Sequence, residues 1–189
     1  NIDLASQEQS ISDYWDKINA FDNSMVNRKD QKVFRFYDGP PFPTGSPHYG
    51  NLLAGVIKDI VPRYWTMRGY YVERRFGWDV HGLPIEMEVQ KQLGLDDPQQ
   101  INDFGIGKFN EACRSQVQTN TENWERVTRK IGRWVDFEND YKTMDIDFME
   151  SVWWVFKELW ENELIYKDYK VLPYSWAAAT PLSNFEANM

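Results

Sequence analysis

The chain has 189 residues, enough for one domain or one and a fraction. It carries 21 Lys plus Arg against 29 Asp plus Glu, a net charge of −8, which excludes a protein that coats nucleic acid through a general positive field. The apolar fraction of 42% and aromatic fraction of 16% supply a packed core and argue against long disorder. Nine Trp point to large aromatic surfaces in the core or at an interface. Cys113 is alone, so it closes no disulfide within the chain and builds no cysteine-based zinc site. No apolar run approaches the ~20 residues of a membrane span, and residues 1–20 lack a signal-peptide core. The chain opens on Asn1 and closes on a polar stretch, Ser183 to Asn188, followed by Met189. A piece of a longer protein is expected.

In chain order, Ile11, Tyr14, Trp15, Ile18 and Phe21 predict an amphipathic helix over 6–21. Val33 to Tyr37 is short, β-branched and aromatic, ends at Asp38-Gly39, and reads as a strand. Residues 39–47 hold four prolines in nine and cannot be regular structure. From His48 onward, Leu52, Leu53, Val56, Ile57, Ile60, Val61 and Tyr64 predict a buried helix, with Pro62 loosening its last turn and Gly69 ending it. Tyr70 to Phe76 reads as the next strand. Strand, helix, strand within ~45 residues is a βαβ unit, hence parallel pairing and an α/β fold. Gly77 to Gly82 is a second loop, and Pro84 opens a helix over 83–93. Residues 94–112 read as turns with short helical pieces. Helices are expected over 108–131 and 146–163, and a third strand or hairpin arm over 164–173.

In an open α/β sheet the ligand crevice lies at the carboxyl ends of the strands. The first βα loop, residues 38–51, sits there by construction. His48 and Asn51 open the helix, whose N-terminus presents unpaired N–H groups and a partial positive charge that favour an anion. Gly50 between them lets a flat ligand approach the backbone. A simple helix cap by Ser46 or His48, with Gly50 allowing tight packing, is the alternative. Asp79, in the second loop, would face the same crevice and suit an ammonium group, or else brace its own loop. His81 is chemically versatile, or a packing residue. There is no nucleophile–base pair, and no phosphate loop of the G-x-x-x-x-G-K-[ST] type. Between Lys58 and Arg75 five basic residues stand against two acidic ones, either a local phosphate-facing patch or a solvated face.

From about Asp13 to its end the chain resembles the amino-terminal catalytic region of class I aminoacyl-tRNA synthetases, most closely the isoleucine-specific branch. Phe36 to Phe42 followed by Gly45-Ser46-Pro47-His48-Tyr49-Gly50-Asn51 resembles the first class signature, usually His-x-Gly-His. Gly77-Trp78-Asp79-Val80-His81-Gly82-Leu83-Pro84-Ile85-Glu86 is similar to the amino-acid-binding loop. Trp134 to Met144 and Thr180 to Asn184 are also similar to this family.

The resemblance implies the first half of a Rossmann-type parallel-sheet nucleotide-binding domain with additional helices. Residues 1–32 would form an amino-terminal helical extension. Residues 33–189 would be the first half of the catalytic domain, ending near the start of an editing insertion. It implies ATP-dependent activation of isoleucine to its adenylate, with Mg2+ accompanying ATP as substrate, and transfer to tRNA(Ile). It assigns His48 and Asn51 to the catalytic signature, with His48, Gly50 and Asn51 at ATP. It assigns Gly39, Pro40 and Asp79 to the amino acid, with Trp78 and His81 as neighbours. Asn51 stands where the signature has its second His. No metal site is visible in the sequence. The implied partners are the rest of the polypeptide: an editing domain, the second half of the catalytic domain and an anticodon-binding domain. The implied compartment is the cytoplasm, with no membrane. The 189 residues by themselves are expected to be inactive or very weak, and to expose apolar surface over 146–173. Valine or leucine specificity, and a non-catalytic binding module derived from a synthetase, are the rival readings.

Overall fold

The computed structural model describes residues 3–43, 45–177, 179–184 and 187, excepting the side chains of 118 and 119. Asn1, Thr44 of the proline-rich loop, and Phe185, Glu186, Asn188 and Met189 of the polar end lie outside the described residues. The chain divides into two compact units, Asn1–Met149 and Glu150–Met189.

The first unit opens with two helices, α1 (Leu4–Lys17) and α2 (Ala20–Val26), where the sequence pattern predicts one. The break is at Asn19, whose φ of 47° is a left-handed turn that Asn tolerates better than most residues. Asp3 caps α1 by accepting from Ser6 N at 3.2 Å. α3 (Tyr49–Met67) then runs through Pro62 without ending there. It stops at Gly69, at φ 90°, where Gly69 N donates to Thr66 O (3.0 Å) and Tyr70 N to Trp65 O (3.1 Å). This pair of bonds closes a helix end that only glycine fits without strain.

The apolar stripe of α3 does not face the core as expected. Leu53, Val56, Ile57, Ile60, Val61 and Tyr64 are exposed, and the buried residues of the helix are Gly55 and Pro62. The reason lies beneath the helix. Its inward side meets the buried charges of Asp38 and Arg74, which it answers with Lys58, Thr66 and the Pro62 carbonyl, and the Trp134 N–H, which it answers with Asp59.

The organising sheet is parallel. Val33 bridges Tyr71, with Phe34 N donating to Tyr71 O at 2.9 Å and Tyr71 N to Lys32 O at 3.0 Å. Downstream, β1 (Arg75–Trp78) pairs in parallel with β2 (Asp136–Lys142). The expected parallel contact across α3 is therefore present, but as one bridge, and the second segment is regular strand only over Arg75–Trp78 instead of 70–76. β2 was not expected as a strand. Its register jumps from Arg75↔Asp136 to Gly77↔Tyr141, so residues 137–140 bulge out of the ladder. Asp136 holds the bulge by accepting from Asn139 N (3.0 Å) and Asn139 Nδ2 (2.8 Å). Residues 164–173 form no strand, contrary to expectation. The second unit instead carries a short antiparallel pair, β3 (Tyr174–Ser175) and β4 (Thr180–Pro181).

Between the strands run α4 (Leu83–Leu93), α5 (Pro98–Phe104) and α6 (Ile106–Lys130), and α7 (Ile146–Glu161) follows β2. The core joins Phe76 and Trp78 of β1, and Val80 just beyond it, to Ile85 and Val89 of α4, to Phe109, Val117 and Trp124 of α6, and to Val135 and Phe137. Phe76 and Phe137 stack at 4.6 Å between centroids, a pair worth ~0.5–1.5 kcal/mol beyond the area it buries. In α7, Trp153, Trp154, Phe156 and Trp160 are exposed, as the sequence leads one to expect.

The basic stretch 58–75 is mixed: Arg68 and Arg75 are exposed, while Lys58, Arg63 and Arg74 are wholly or partly buried. Arg74 is 2% exposed and donates to Thr66 Oγ1 and Pro62 O; burial pushes its guanidinium down to about 10, still charged at neutral pH. Arg63 lies 3.9 Å over the Trp134 ring and pairs with Asp59. Arg75 donates to Asn139 O at 2.7 Å. Arg74 ties α3 to the strand region, and Arg75 ties β1 to β2.

Candidate functional site

Parallel strands put their carboxyl ends at one edge, and three loops meet there. The first loop follows the 33–34 bridge, the second follows β1, and the third follows β2. Asp79 N donates to Pro41 O at 3.0 Å, joining the first loop to the second. Thr143 N donates to Trp78 O at 3.0 Å, joining the second to the third. The Tyr141 hydroxyl donates to Asp38 O at 2.7 Å, closing the circuit. Burial, with Asp38 and Tyr37 adding to it, pushes the Tyr141 phenol up to about 12, so it stays a neutral donor. The ring crosses Gly77 so closely that a Cβ there would lie 2.2 Å from it.

The first loop is anchored by charge and by α6. The Asp38 carboxylate is fully enclosed, 2.9 Å from Lys58 Nζ and 3.1 Å from the Arg133 guanidinium. Lys58 also donates to Gly39 O. Farther along, Trp124 Nε1 donates to Gly45 O (2.9 Å) and Asn123 Nδ2 to Ser46 Oγ (3.1 Å). Prolines stiffen the loop, and these five contacts set its path.

His48 is the N-cap of α3. Its Nδ1 accepts from Gly50 N at 3.1 Å, while Asn51 Oδ1 accepts from His48 N at 3.0 Å. This reciprocal arrangement is a capping box. A ring nitrogen that accepts an N–H carries no proton itself, so the neutral imidazole holds its proton on Nε2, toward solvent. Gly50 leaves room for the ring above it: a Cβ would stand 3.0 Å from His48 Cε1 and 3.1 Å from Nδ1, so the ring would have to give way. Asn51 opens onto a cavity of about 170 Å³ with Pro41, Pro47, Lys58 and Arg133.

Asp79 is half-buried. Its Oδ1 lies 3.3 Å from Thr143 Oγ1, which is 3.0 Å from His81 Nδ1 and accepts from Val80 N at 3.0 Å. His81 is exposed and lines a separate cavity of about 160 Å³ with Gly82, Glu86, Asn110, Cys113 and Arg114. Trp78 is 1% exposed, its ring tilted against Phe76 (4.4 Å) and Phe137 (6.4 Å), and its Nε1 donates to Asp140 at 2.7 Å. Its ring is core, and what it offers the edge is its backbone. Gly39 and Pro40 follow Asp38 at the rim. His48 and Asn51 are thus bonded to each other, and Asp79 and His81 share Thr143. The two groups connect through the Pro41–Asp79 backbone bond.

Residues 10–189 match the family model of class I tRNA synthetases (I, L, M and V). The chain belongs to this family. It is 54% identical over 188 residues to an isoleucine–tRNA ligase of Bdellovibrio bacteriovorus, covering 100% of this chain and 18% of that protein. It is 56% identical over 182 residues to one from Mycobacterium leprae (96% of this chain, 17% of that one). It is 54% identical over 181 residues to the cytoplasmic isoleucine–tRNA ligase of Arabidopsis thaliana (96% and 15%). Among solved structures, the Agrobacterium radiobacter K84 agnB2 LeuRS, in a ternary complex with tRNA and LeuAMS, superimposes with a TM-score of 0.63. That likeness, at 22% identity over 97% of this chain and 21% of that one, shows a shared α/β fold. The chain spans under a fifth of the length of these isoleucine–tRNA ligases.

Within this class I synthetase chain, sequence reasoning missed Asp38, Tyr141 and Thr143. Tyr141 and Thr143 stand in the family-like stretch Trp134 to Met144, but nothing in local pattern tells a strand-end threonine from any surface threonine. Asp38 reads as a turn residue beside Gly39. Its buried state depends on Lys58 and Arg133, 20 and 95 positions away, which no window of sequence contains.

Proposed function

We propose that this chain is the first half of the Rossmann-type catalytic domain of an isoleucine–tRNA ligase, with residues 1–32 as a helical extension and 33–189 ending near an editing insertion. The observation that carries the reading is 54% identity to isoleucine–tRNA ligases along the whole chain. The geometry supports it: a helix N-terminus capped by His48 and a half-buried carboxylate, Asp79, stand at one edge of parallel strands.

The reaction is attack of the isoleucine carboxylate on the α-phosphorus of ATP, with pyrophosphate leaving, then transfer of the aminoacyl group to tRNA(Ile). It needs positioning and charge stabilisation rather than a protein nucleophile, consistent with a site that offers none. His48 Nε2–H and the positive end of the α3 dipole would face phosphate oxygens. Asn51 stabilises the cap through its oxygen and keeps its amide N–H2 as a donor. Gly39 and Pro40 would border the amino acid, and Asp79 would hold its α-ammonium. Mg2+ enters with ATP. Among the described residues no cluster of His, Cys, Asp or Glu could hold a metal, and no helix is long and apolar enough to cross a membrane. The rest of the polypeptide would supply the second half of the catalytic domain, an editing domain and an anticodon-binding domain, in the cytoplasm.

ATP–pyrophosphate exchange by the full-length protein tests this. Isoleucine is expected to give the highest kcat/KM among isoleucine, valine and leucine. A higher value with valine or leucine overturns the assignment, and no exchange with any of them supports a binding module.

A second test concerns Gly50. Gly50→Ala inserts a methyl group under the His48 ring and should turn Nε2 away from the phosphate. The KM for ATP is expected to rise about 10-fold or more, the scale of one lost hydrogen bond to a charged group. Alanine suits a helix better than glycine by ~0.5–1 kcal/mol, offsetting the weakened cap, so thermal stability should barely move. An unchanged KM for ATP would leave His48 with capping alone.

A further inference from the structure

The proposed function leaves Thr143 without a task, although it is 8% exposed and makes polar contacts with Trp78, Asp79, Val80 and His81. It sits one residue past β2 and continues that strand's pairing by other means. Its N–H donates to Trp78 O, and its Oγ1 takes the place of a carbonyl by accepting from Val80 N at 3.0 Å. Trp78 and Val80 flank Asp79, whose own N–H is held from the opposite side by Pro41 O. The backbone at Asp79 is therefore clamped on both sides, and one of the clamps is a side-chain oxygen.

A threonine hydroxyl has one proton and two lone pairs. One lone pair is taken by Val80 N–H. The remaining lone pair and the proton face two groups: Asp79 Oδ1 at 3.3 Å and His81 Nδ1 at 3.0 Å. An ionised carboxylate only accepts. If His81 Nδ1 also accepted, both neighbours would compete for a single proton. The arrangement that satisfies all three has His81 Nδ1–H donating to Thr143 Oγ1 and Thr143 Oγ1–H donating to Asp79 Oδ1. Threonine then fixes the tautomer of His81, leaves its Nε2 as an acceptor, and aims one carboxylate oxygen of Asp79 so that the other stays free.

We propose that Thr143 is a positioning residue of the amino-acid site, linking His81 to Asp79 so that the carboxylate is pre-aimed at the substrate ammonium. This rests on the isoleucine–tRNA ligase reading above. Valine has the same shape without the hydroxyl, and serine keeps the hydroxyl without the methyl group, so the two variants separate the hydrogen bonds from packing. In the full-length protein, Thr143→Val is expected to raise the KM for isoleucine about 10-fold or more, as for other hydrogen bonds to a charged group. The KM for ATP should stay within about two-fold, because the clamp acts at Asp79 and not at the α3 cap. Thr143→Ser should return the isoleucine KM to within about three-fold of wild type. Adding Thr143→Val to Asp79→Ala should cost little more than Asp79→Ala alone, because two groups that act through one interaction are not additive.

The outcomes are separable. Absence of isoleucine-dependent exchange in the wild type overturns the reading of the reaction and this proposal with it. Wild-type exchange with an unmoved isoleucine KM in Thr143→Val overturns the link alone. So does a parallel rise of both KM values that serine fails to rescue, which would mark Thr143 as a fold residue only.

Discussion

Replacing Asp38 by alanine is expected to lower the free energy of unfolding by about 3–5 kcal/mol, the usual cost of removing one partner from a buried ion pair. The asymmetry of the site explains why the cost is high. The Lys58 side chain retains 25% of its exposure and can swing toward water once its partner is gone. The Arg133 side chain retains only 5% and sits over the Phe76 ring, so its charge stays enclosed and unpaired. The loss should spread to the loop edge, since Lys58 also holds Gly39 O and the Tyr141 hydroxyl holds Asp38 O. Urea unfolding of wild type and variant reads the effect directly. A double variant, Asp38→Ala with Arg133→Met, should recover a substantial part of it by removing the stranded cation. A loss below about 1 kcal/mol in the single variant would mean that water reaches this pair and screens it, as at a surface salt bridge.

Replacing Asp79 by alanine is expected to raise the KM for isoleucine about 30-fold or more in the full-length protein, while the KM for ATP changes only a few-fold. A hydrogen bond to a charged group contributes about 1.5–3 kcal/mol, a factor of about 10–150 in affinity. Asp79 is half-buried and already aimed by Thr143, so little of that gain would be spent on ordering it. Asp79→Asn keeps the shape and removes the charge, and it should lie near alanine if the charge does the binding. The ATP side is insulated because the His48 cap belongs to α3 and reaches Asp79 only through the Pro41 backbone bond. Steady-state exchange kinetics with each substrate varied in turn measure both constants. Unchanged isoleucine kinetics would reduce Asp79 to a brace between Pro41 and Thr143, and the ammonium site would have to be sought elsewhere along the edge.

Local signals located several elements well. Pro84 near the start and Gly94 past the end bound α4 to Leu83–Leu93, the range the sequence predicts. Gly69 ends α3 as expected, and a parallel contact across α3 follows from the spacing of Val33, His48 and Tyr70. A cap at this helix start, at Ser46 or His48, could be named beforehand because a helix start is a local event; that it is His48, closed by Asn51, only the structure decided.

What sequence alone determined about this protein is the order of its helices, the two loops that end at the sheet edge, and the residue types offered there. What only the tertiary structure decided is which faces and charges are buried. Asp136–Lys142 reads as a polar segment with poor strand propensity, yet it is a strand because β1 supplies its hydrogen bonds and Phe137 drops into the core. Residues 164–173 alternate like a strand and are not one, because alternation describes a face and does not provide a neighbour to pair with. The stripe on α3 turned outward for the same kind of reason: periodicity marks an apolar side, but the buried charges of Asp38, Arg74 and Arg133 decided which side could face in. Thr143 gained its place between Asp79 and His81 only when β2 lay beside β1. Contacts across 60 to 100 residues carry no signature in either partner's surroundings, since each side chain is ordinary until the fold brings the other within 3 Å.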